Sequence, residues 1–318
     1  MRKILGILLV LIIILGSLGC AKTETTQMEE VSIMLDWYPN AVHSFLYAAI
    51  AEGYFAEAGL NVKILMPAET SDPLKLTAAG QTTFALSYQP QLVMARAADV
   101  PVISLGAVVN HPLNTILVRD ELHLQSPRDL EGKTVGYSLP VYEAIAKTAI
   151  VNAGGDLEKV NLIDIGWDLI PAMGTANVDA ISGGFINHEK ILLEKEGCPV
   201  NVFDPVQYGV PDYAELILIT GEDFAENNSE IITKFWEAAE KGQKFVEENP
   251  EAALQILFDY QDEQFPLDQE VEKESLKMLL PLMEGFGKQD VAGWQEVIDW
   301  MYELQLIDAK PAAEECMD

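Results

Sequence analysis

Apolar and polar positions alternate in two rhythms along this chain of 318 residues. Short apolar runs at Val31–Leu35, Val62–Met66, Thr83–Leu86, Val102–Val108 and Thr115–Val118 predict strands. Between them, Val42–Ala58, Pro73–Ala79 and Pro90–Ala98 carry the wider spacing of helices, and Gly59 is placed to cap the first. This alternation predicts a mostly parallel sheet with helices on both faces. The texture changes around Arg119-Asp120. Ser126-Pro127 opens a short capped helix. Strands then follow at Thr134–Tyr137, Val160–Ile165, Ala180–Ile181 and Val200–Phe203, with helices at Pro140–Ala153 and Asn187–Glu196. Ala214–Thr220 is one more strand. From Glu222 to Leu306 the pattern is almost wholly helical, in segments Ser229–Asn249, Pro250–Tyr260, Asp268–Gly285 and Asp290–Leu304.

The chain thus leaves a first lobe, builds a second and returns. The expected bounds are 31–118 with 217–318 for the first lobe and 119–216 for the second, with linkers near 118–120 and 211–216. Two such connections make a hinge with a cleft between two α/β lobes. An apolar content of 49% is ample for two cores.

The first residues form a separate signal. Arg2 and Lys3 precede a nearly unbroken apolar run, Ile4–Leu15, and Gly16-Ser17-Leu18-Gly19-Cys20 closes it with small residues. Residues 1–19 read as a signal peptide, too short for a comfortable membrane span. Cys20 is placed as in a bacterial lipobox, which it resembles, although Ser17 stands where a leucine is usual. Lipidation at Cys20, with 20–30 as a polar tether, is therefore expected; ordinary cleavage and release is the alternative.

The formal charge is −30. Such a surface repels nucleic acid and anionic headgroups, so nucleic acid is not an expected partner, and attachment to the membrane rests on lipid. Besides Cys20 there are only Cys198 and Cys316, so the fold rests on its cores and not on disulfides. No Cys/His cluster has metal-ligand spacing, and no resident cofactor or metal is expected.

The chemistry concentrates at Leu35-Asp36-Trp37-Tyr38-Pro39-Asn40-Ala41-Val42-His43, between the first strand and the first helix. In open α/β sheets that end of a strand is where ligands bind. Aromatic rings beside carboxylate and amide groups suit a flat, hydrogen-bonding ring. A hydrophobic corner capped by Asn40 is the structural alternative.

Taken together, these features resemble the solute-binding proteins of ABC importers, with Asp129-Leu130-Glu131-Gly132-Lys133-Thr134-Val135-Gly136 as the opening of the second lobe. Leu35 to Asn40, with Gly53-Tyr54-Phe55 and Gly59-Leu60, resembles the NMT1/THI5-like family, in its ThiY-type branch. The resemblance implies a type II periplasmic-binding-protein fold and a lipid-anchored, monomeric binding protein on the extracytoplasmic face. Its partners would be permease subunits and a small heteroaromatic ligand, a thiamin-related aminopyrimidine taken up for salvage. The candidate ligand-binding residues are Asp36, Trp37, Tyr38, Asn40 and His43, then Ser87 and Tyr88, Tyr137, the close-approach pair Gly183 and Gly184, and Asn187. Glu189 stands where the resemblance implies a pocket carboxylate, and Asp212 with Tyr213 lies at the return hinge. Each has a structural alternative: a core tryptophan for Trp37, a helix cap for Asn40, a satisfied histidine for His43, a solvated helix glutamate for Glu189, packing for the tyrosines.

The same family includes an enzyme that builds the pyrimidine from its own histidine and pyridoxal phosphate. The lysine and histidine that this requires correspond here to Ser87 and Gln91, and no cysteine motif follows Gly183-Gly184 before Cys198. An enzyme is therefore not expected. Riboflavin or a sulfonate remains as another ligand in the same role. Riboflavin needs a longer cleft, and a sulfonate needs clustered hydroxyls and basic groups, for which Ser87 and Ser138 do not suffice.

Overall fold

The computed structural model of the protein describes residues 28–261 and 266–318. The expected signal peptide and Cys20 lie outside these residues. Among the described residues ten strands form: β1 Glu29–Met34, β2 Leu60–Leu65, β3 Phe84–Ser87, β4 Val102–Val109, β5 Asn114–Arg119, β6 Thr134–Tyr137, β7 Asn161–Asp164, β8 Ala180–Phe185, β9 Val200–Phe203 and β10 Leu216–Gly221. They make two five-stranded sheets, ordered β2-β1-β3-β10-β4 and β7-β6-β8-β5-β9. In each sheet four strands run in one direction, and the strand that arrives from the other lobe runs against them: β10 between β3 and β4, β5 between β8 and β9.

That topology corrects one expected boundary. Thr115–Val118 was placed in the first lobe, yet β5 pairs with β8 and β9 in the second sheet. The chain crosses before β5, through Asn110-His111-Pro112-Leu113, where Pro112 has no N–H to offer a sheet. The return crossing precedes β10.

Packing follows the residue pattern. In the helix Ser229–Glu248, Ile232, Phe235, Ala238, Ala239, Gly242 and Val246 are buried, a stripe at helical spacing. It lies on the helix Ser44–Ala51 so closely that a Cβ on Gly242 would overlap the carbonyl oxygen of Phe45. The stretch Val42–Ala58 is not one helix. It divides into Ala41–His43, Ser44–Ala51 and Tyr54–Glu57, with the break at Gly53, whose φ is 78°. The largest core surrounds the first sheet and takes in Leu139, Val141, Tyr142 and Ile145 from the second lobe. Two smaller clusters cover the faces of the second sheet. Cys198 and Cys316 are both free thiols.

One buried acid fastens the crossover. Glu215 is wholly buried where both connections pass. Its Oε2 accepts from the backbone N–H groups of Leu113 and Asn114, at 2.7 and 2.8 Å, and from Tyr213 Oη at 3.2 Å. Its Oε1 accepts from Tyr142 Oη at 3.1 Å. Burial pushes the Glu215 pKa up to about 7, against these four hydrogen bonds, which favour the carboxylate. Glu215→Ala leaves two backbone donors and two phenols unanswered, and is expected to lower the unfolding free energy by about 3 kcal/mol. Urea unfolding of the two proteins measures this; coincident transitions would refute it.

Candidate functional site

The turn after β1 is built by its own side chains. Asn40 Oδ1 accepts from Val42 N–H at 3.1 Å, and Asn40 Nδ2 donates to the Tyr38 carbonyl at 3.2 Å. Asn40 N–H in turn donates to His43 Nδ1 at 3.1 Å. A nitrogen that accepts carries no proton, so the hydrogen of neutral His43 sits on Nε2. Nε2 lies 2.9 Å from Asp36 Oδ1, and Tyr88 Oη donates to Asp36 Oδ2 at 2.9 Å. Asp36 is thereby fixed from two sides. Burial first, and the charge of Asp36 second, push the Tyr88 phenol well above its ordinary pKa, so it stays a donor.

The facing wall comes from β8 and the turn after it. Gly183, at φ 103°, donates its N–H to Asn114 Oδ1 at 2.6 Å, and a Cβ there would overlap Ser138 Oγ. Asn187 Nδ2 donates to Ser275 Oγ at 2.9 Å, while its buried Oδ1 has no hydrogen-bond partner among the described residues. Glu189 Oε2 accepts from Phe185 N–H at 2.9 Å. Its Oε1 lies 3.0 Å from His188 Nδ1, and His188 Nε2 lies 3.3 Å from Glu272 Oε1. Glu272 Oε2 accepts from Ala41 N–H at 2.6 Å. One buried chain of charge therefore runs from the second lobe, through His188, to the first. Burial works against a charged His188, but the two carboxylates outweigh it and hold its pKa at about 10.

Between these walls lies a pocket lined by Asp36, Trp37, Asn40, Val42, Tyr88, Ser138, Tyr142, Gly183, Phe185, Asn187, His188 and Glu189. Its free volume is about 20 Å3, room for little more than a water. The lobes meet on both sides of it. Thr70 Oγ1 donates to the Ser138 carbonyl at 3.1 Å, and Trp167 Nε1 to the Ala68 carbonyl at 3.2 Å. The Trp37 and Trp167 rings lie 4.1 Å apart between centroids. On the opposite rim Lys195 Nζ is 2.7 Å from both Asp268 and Glu270. This is a closed cleft, and a ring enters it only if the hinge opens. Among the described residues, no group of three or more His, Cys, Asp or Glu could hold a metal ion.

Of the residues expected at the ligand, the fold brings together Asp36, Trp37, Asn40, Tyr88, Gly183, Asn187 and Glu189. It places the others elsewhere. Tyr38 turns into a neighbouring cavity, edge-on to His188. His43 lies fully buried behind Asp36 and positions it. Ser87 is buried and donates to Gln91 Oε1 at 3.0 Å. Tyr137 is half-buried outside the pocket lining. A Cβ on Gly184 would meet Leu117 and Ile181, so this glycine serves sheet packing. Asp212 is exposed and lies 3.0 Å from His111, while Tyr213 is committed to Glu215. Tyr142, Phe185 and Val42 line the pocket without having been expected there. For Phe185 the adjoining glycine pair was an available signal; for Tyr142 it was a first-turn position on the helix after β6.

A model of the family described as NMT1/THI5 like matches residues 40–253. A formylaminopyrimidine-binding protein of Halalkalibacterium halodurans is 47% identical over 94% of this chain and 92% of its own length. A putative thiamine biosynthesis protein of Haemophilus influenzae is 34% identical, covering 90% of this chain and 91% of that one. More distant relatives, at 25% identity or less, are 4-amino-5-hydroxymethyl-2-methylpyrimidine phosphate synthases. Among solved structures, the alkanesulfonate-binding protein SsuA from Xanthomonas axonopodis pv. citri superposes with a TM-score of 0.74 at 14% identity, covering 91% of this chain and 98% of that chain. That likeness establishes the periplasmic-binding-protein fold.

The charge on His188 has a pH signature. Its folded pKa of about 10 lies above the free value of 6.5. Its contribution to stability is thus complete below pH 6.5 and is lost as the pH rises through 10. In NMR, the His188 ring is expected to keep imidazolium shifts at pH 8; a midpoint near 6.5 would contradict the buried charge chain.

Proposed function

The chain belongs to the NMT1/THI5-like family, and we propose that it is the extracytoplasmic binding protein of an ABC importer, capturing a formylaminopyrimidine-type, thiamin-related ring. Lipid on Cys20 holds it at the membrane on this reading. The observation that carries the ligand class is the set of acceptors in the pocket. Asp36 and Glu189 present carboxylates, and Asn187 Oδ1 is a buried acceptor without a donor among the described residues, while Trp37 Nε1 is a buried donor. Trp37 and Tyr88 from the first lobe, and Tyr142 and Phe185 from the second, supply aromatic surface. An aminopyrimidine has flat faces, an amine that donates, and a ring nitrogen that donates once protonated. It answers these acceptors with charge-assisted hydrogen bonds and these walls with stacking.

A sulfonate is disfavoured by the same groups, because two buried carboxylates repel an anion. Riboflavin, with three fused rings and a ribityl chain, needs a longer cleft than a single pyrimidine ring. Synthase chemistry is disfavoured because Ser87 has no amine to condense with an aldehyde and Gln91 no imidazole to donate. Capture proceeds by closure. The ring binds between Trp37 and the β8 turn, the hinge shuts, and water leaves. The closed form is what permease subunits recognise.

Titration calorimetry with formylaminopyrimidine tests this reading. Glu189→Gln is expected to weaken binding by roughly 10- to 100-fold, the value of a charged hydrogen bond. Trp37→Ala is expected to cost about tenfold or more through lost stacking. Tight sulfonate binding that ignores Glu189→Gln would overturn the assignment. Separately, Cys20→Ser is expected to release the protein from membranes of cells fed labelled fatty acid, with loss of label; an unlabelled parent protein would remove the anchor.

A further inference from the structure

The ligand pocket shares a wall with a second cavity. This cavity, of about 230 Å3, is lined among others by Tyr38, Asp268, Val271 and Glu272. His188 is the residue common to the linings of both chambers. Each of its ring nitrogens faces a carboxylate oxygen, Glu189 Oε1 at 3.0 Å and Glu272 Oε1 at 3.3 Å. Ionised carboxylates only accept, so both nitrogens donate and the ring is an imidazolium. A flat, five-membered, cationic ring therefore stands beside the pyrimidine site. Two acids flank it, and the Tyr38 ring sits edge-on with centroids 5.6 Å apart.

Thiamin is an aminopyrimidine joined through one methylene to another flat, five-membered, cationic ring, a thiazolium. We propose that His188 determines ligand length: its imidazolium occupies the position that the thiazolium of intact thiamin would take, so the pocket accepts the cleaved pyrimidine and rejects the whole vitamin. The inference rests on the aminopyrimidine reading given above and deepens it. Removing the imidazole joins the two chambers. It also leaves Glu189 and Glu272 as a pair of acids facing a gap of the size and shape of one aromatic ring. A cation that fills that gap recovers the lost attraction, whereas a pyrimidine that ends short of the gap does not.

The experiment is calorimetric titration of wild-type protein and His188→Ala with formylaminopyrimidine, thiamin and imidazole. Wild-type protein is expected to bind thiamin about 100-fold more weakly than the pyrimidine, or worse. His188→Ala is expected to bind thiamin about tenfold or more tightly than wild type does, and the pyrimidine more weakly. Imidazole should restore pyrimidine binding to the variant and compete with thiamin. A folded His188→Ala, shown by a cooperative thermal transition, whose thiamin affinity is unchanged would overturn the proposal. If that variant does not fold, the wild-type protein still tests the proposal: equal affinity for thiamin and pyrimidine overturns it. Failure of wild-type protein to bind any aminopyrimidine would instead strike the function proposed above.

Discussion

A buried imidazolium between two carboxylates joins the halves of this protein. His188 comes from the second lobe, Glu272 from a helix that packs on the first, and Glu189 from the wall of the pocket itself. Taking three charged groups out of water costs several kcal/mol for each, and their mutual attraction repays that only when the remaining valences are filled. Here they are filled by backbone: Phe185 N–H on Glu189 and Ala41 N–H on Glu272. Both donors belong to the turns that carry pocket residues. The charge chain thus sets the position of the pocket walls at the same time as it holds the lobes together, and neither task can be altered alone.

The pocket inherits its character from this arrangement. Asp36 is held by His43 and Tyr88 as firmly as Glu189 is held by His188. The acceptors are preorganised, so a ligand amine meets them without first ordering side chains. The chain's strong net negative charge acts in the same direction, discouraging anions from approaching. Glu215 serves a different end. It gathers the backbone of one connection, a tyrosine of the other and a tyrosine of the second lobe at a single point where the chain crosses between the lobes.

How much of this was legible in the residues depends on the range of the interaction. Strands buried on both faces, such as Val102–Val109, announce themselves as apolar runs, and all ten strand positions were readable. The full length of β8 was obscured because Gly183 and Gly184 interrupt its apolar run, and the helix Leu169–Gly174 was hidden by Pro171 and its terminal glycine. In the site, Asp36, Trp37 and Asn40 were legible because one short turn holds them. Ambiguity in sequence between a cap and a ligand group resolves in Asn40 as both, since its side chain caps the turn and lines the pocket. The pairing of His188 with Glu272 spans 84 positions, and no local pattern announces it. Tyr38 and Ser87 fall outside the pocket lining for a related reason: neighbours of a pocket residue in sequence point away from it when the backbone turns.

The indole pair at the rim has an optical consequence. Trp37 belongs to the first lobe, and Trp167 is the one tryptophan among residues 114–203 of the second. Their rings lie within coupling distance across the closed cleft. Parting the lobes uncouples two chromophores, so the molecule carries its own spectroscopic gauge of aperture, with no label attached.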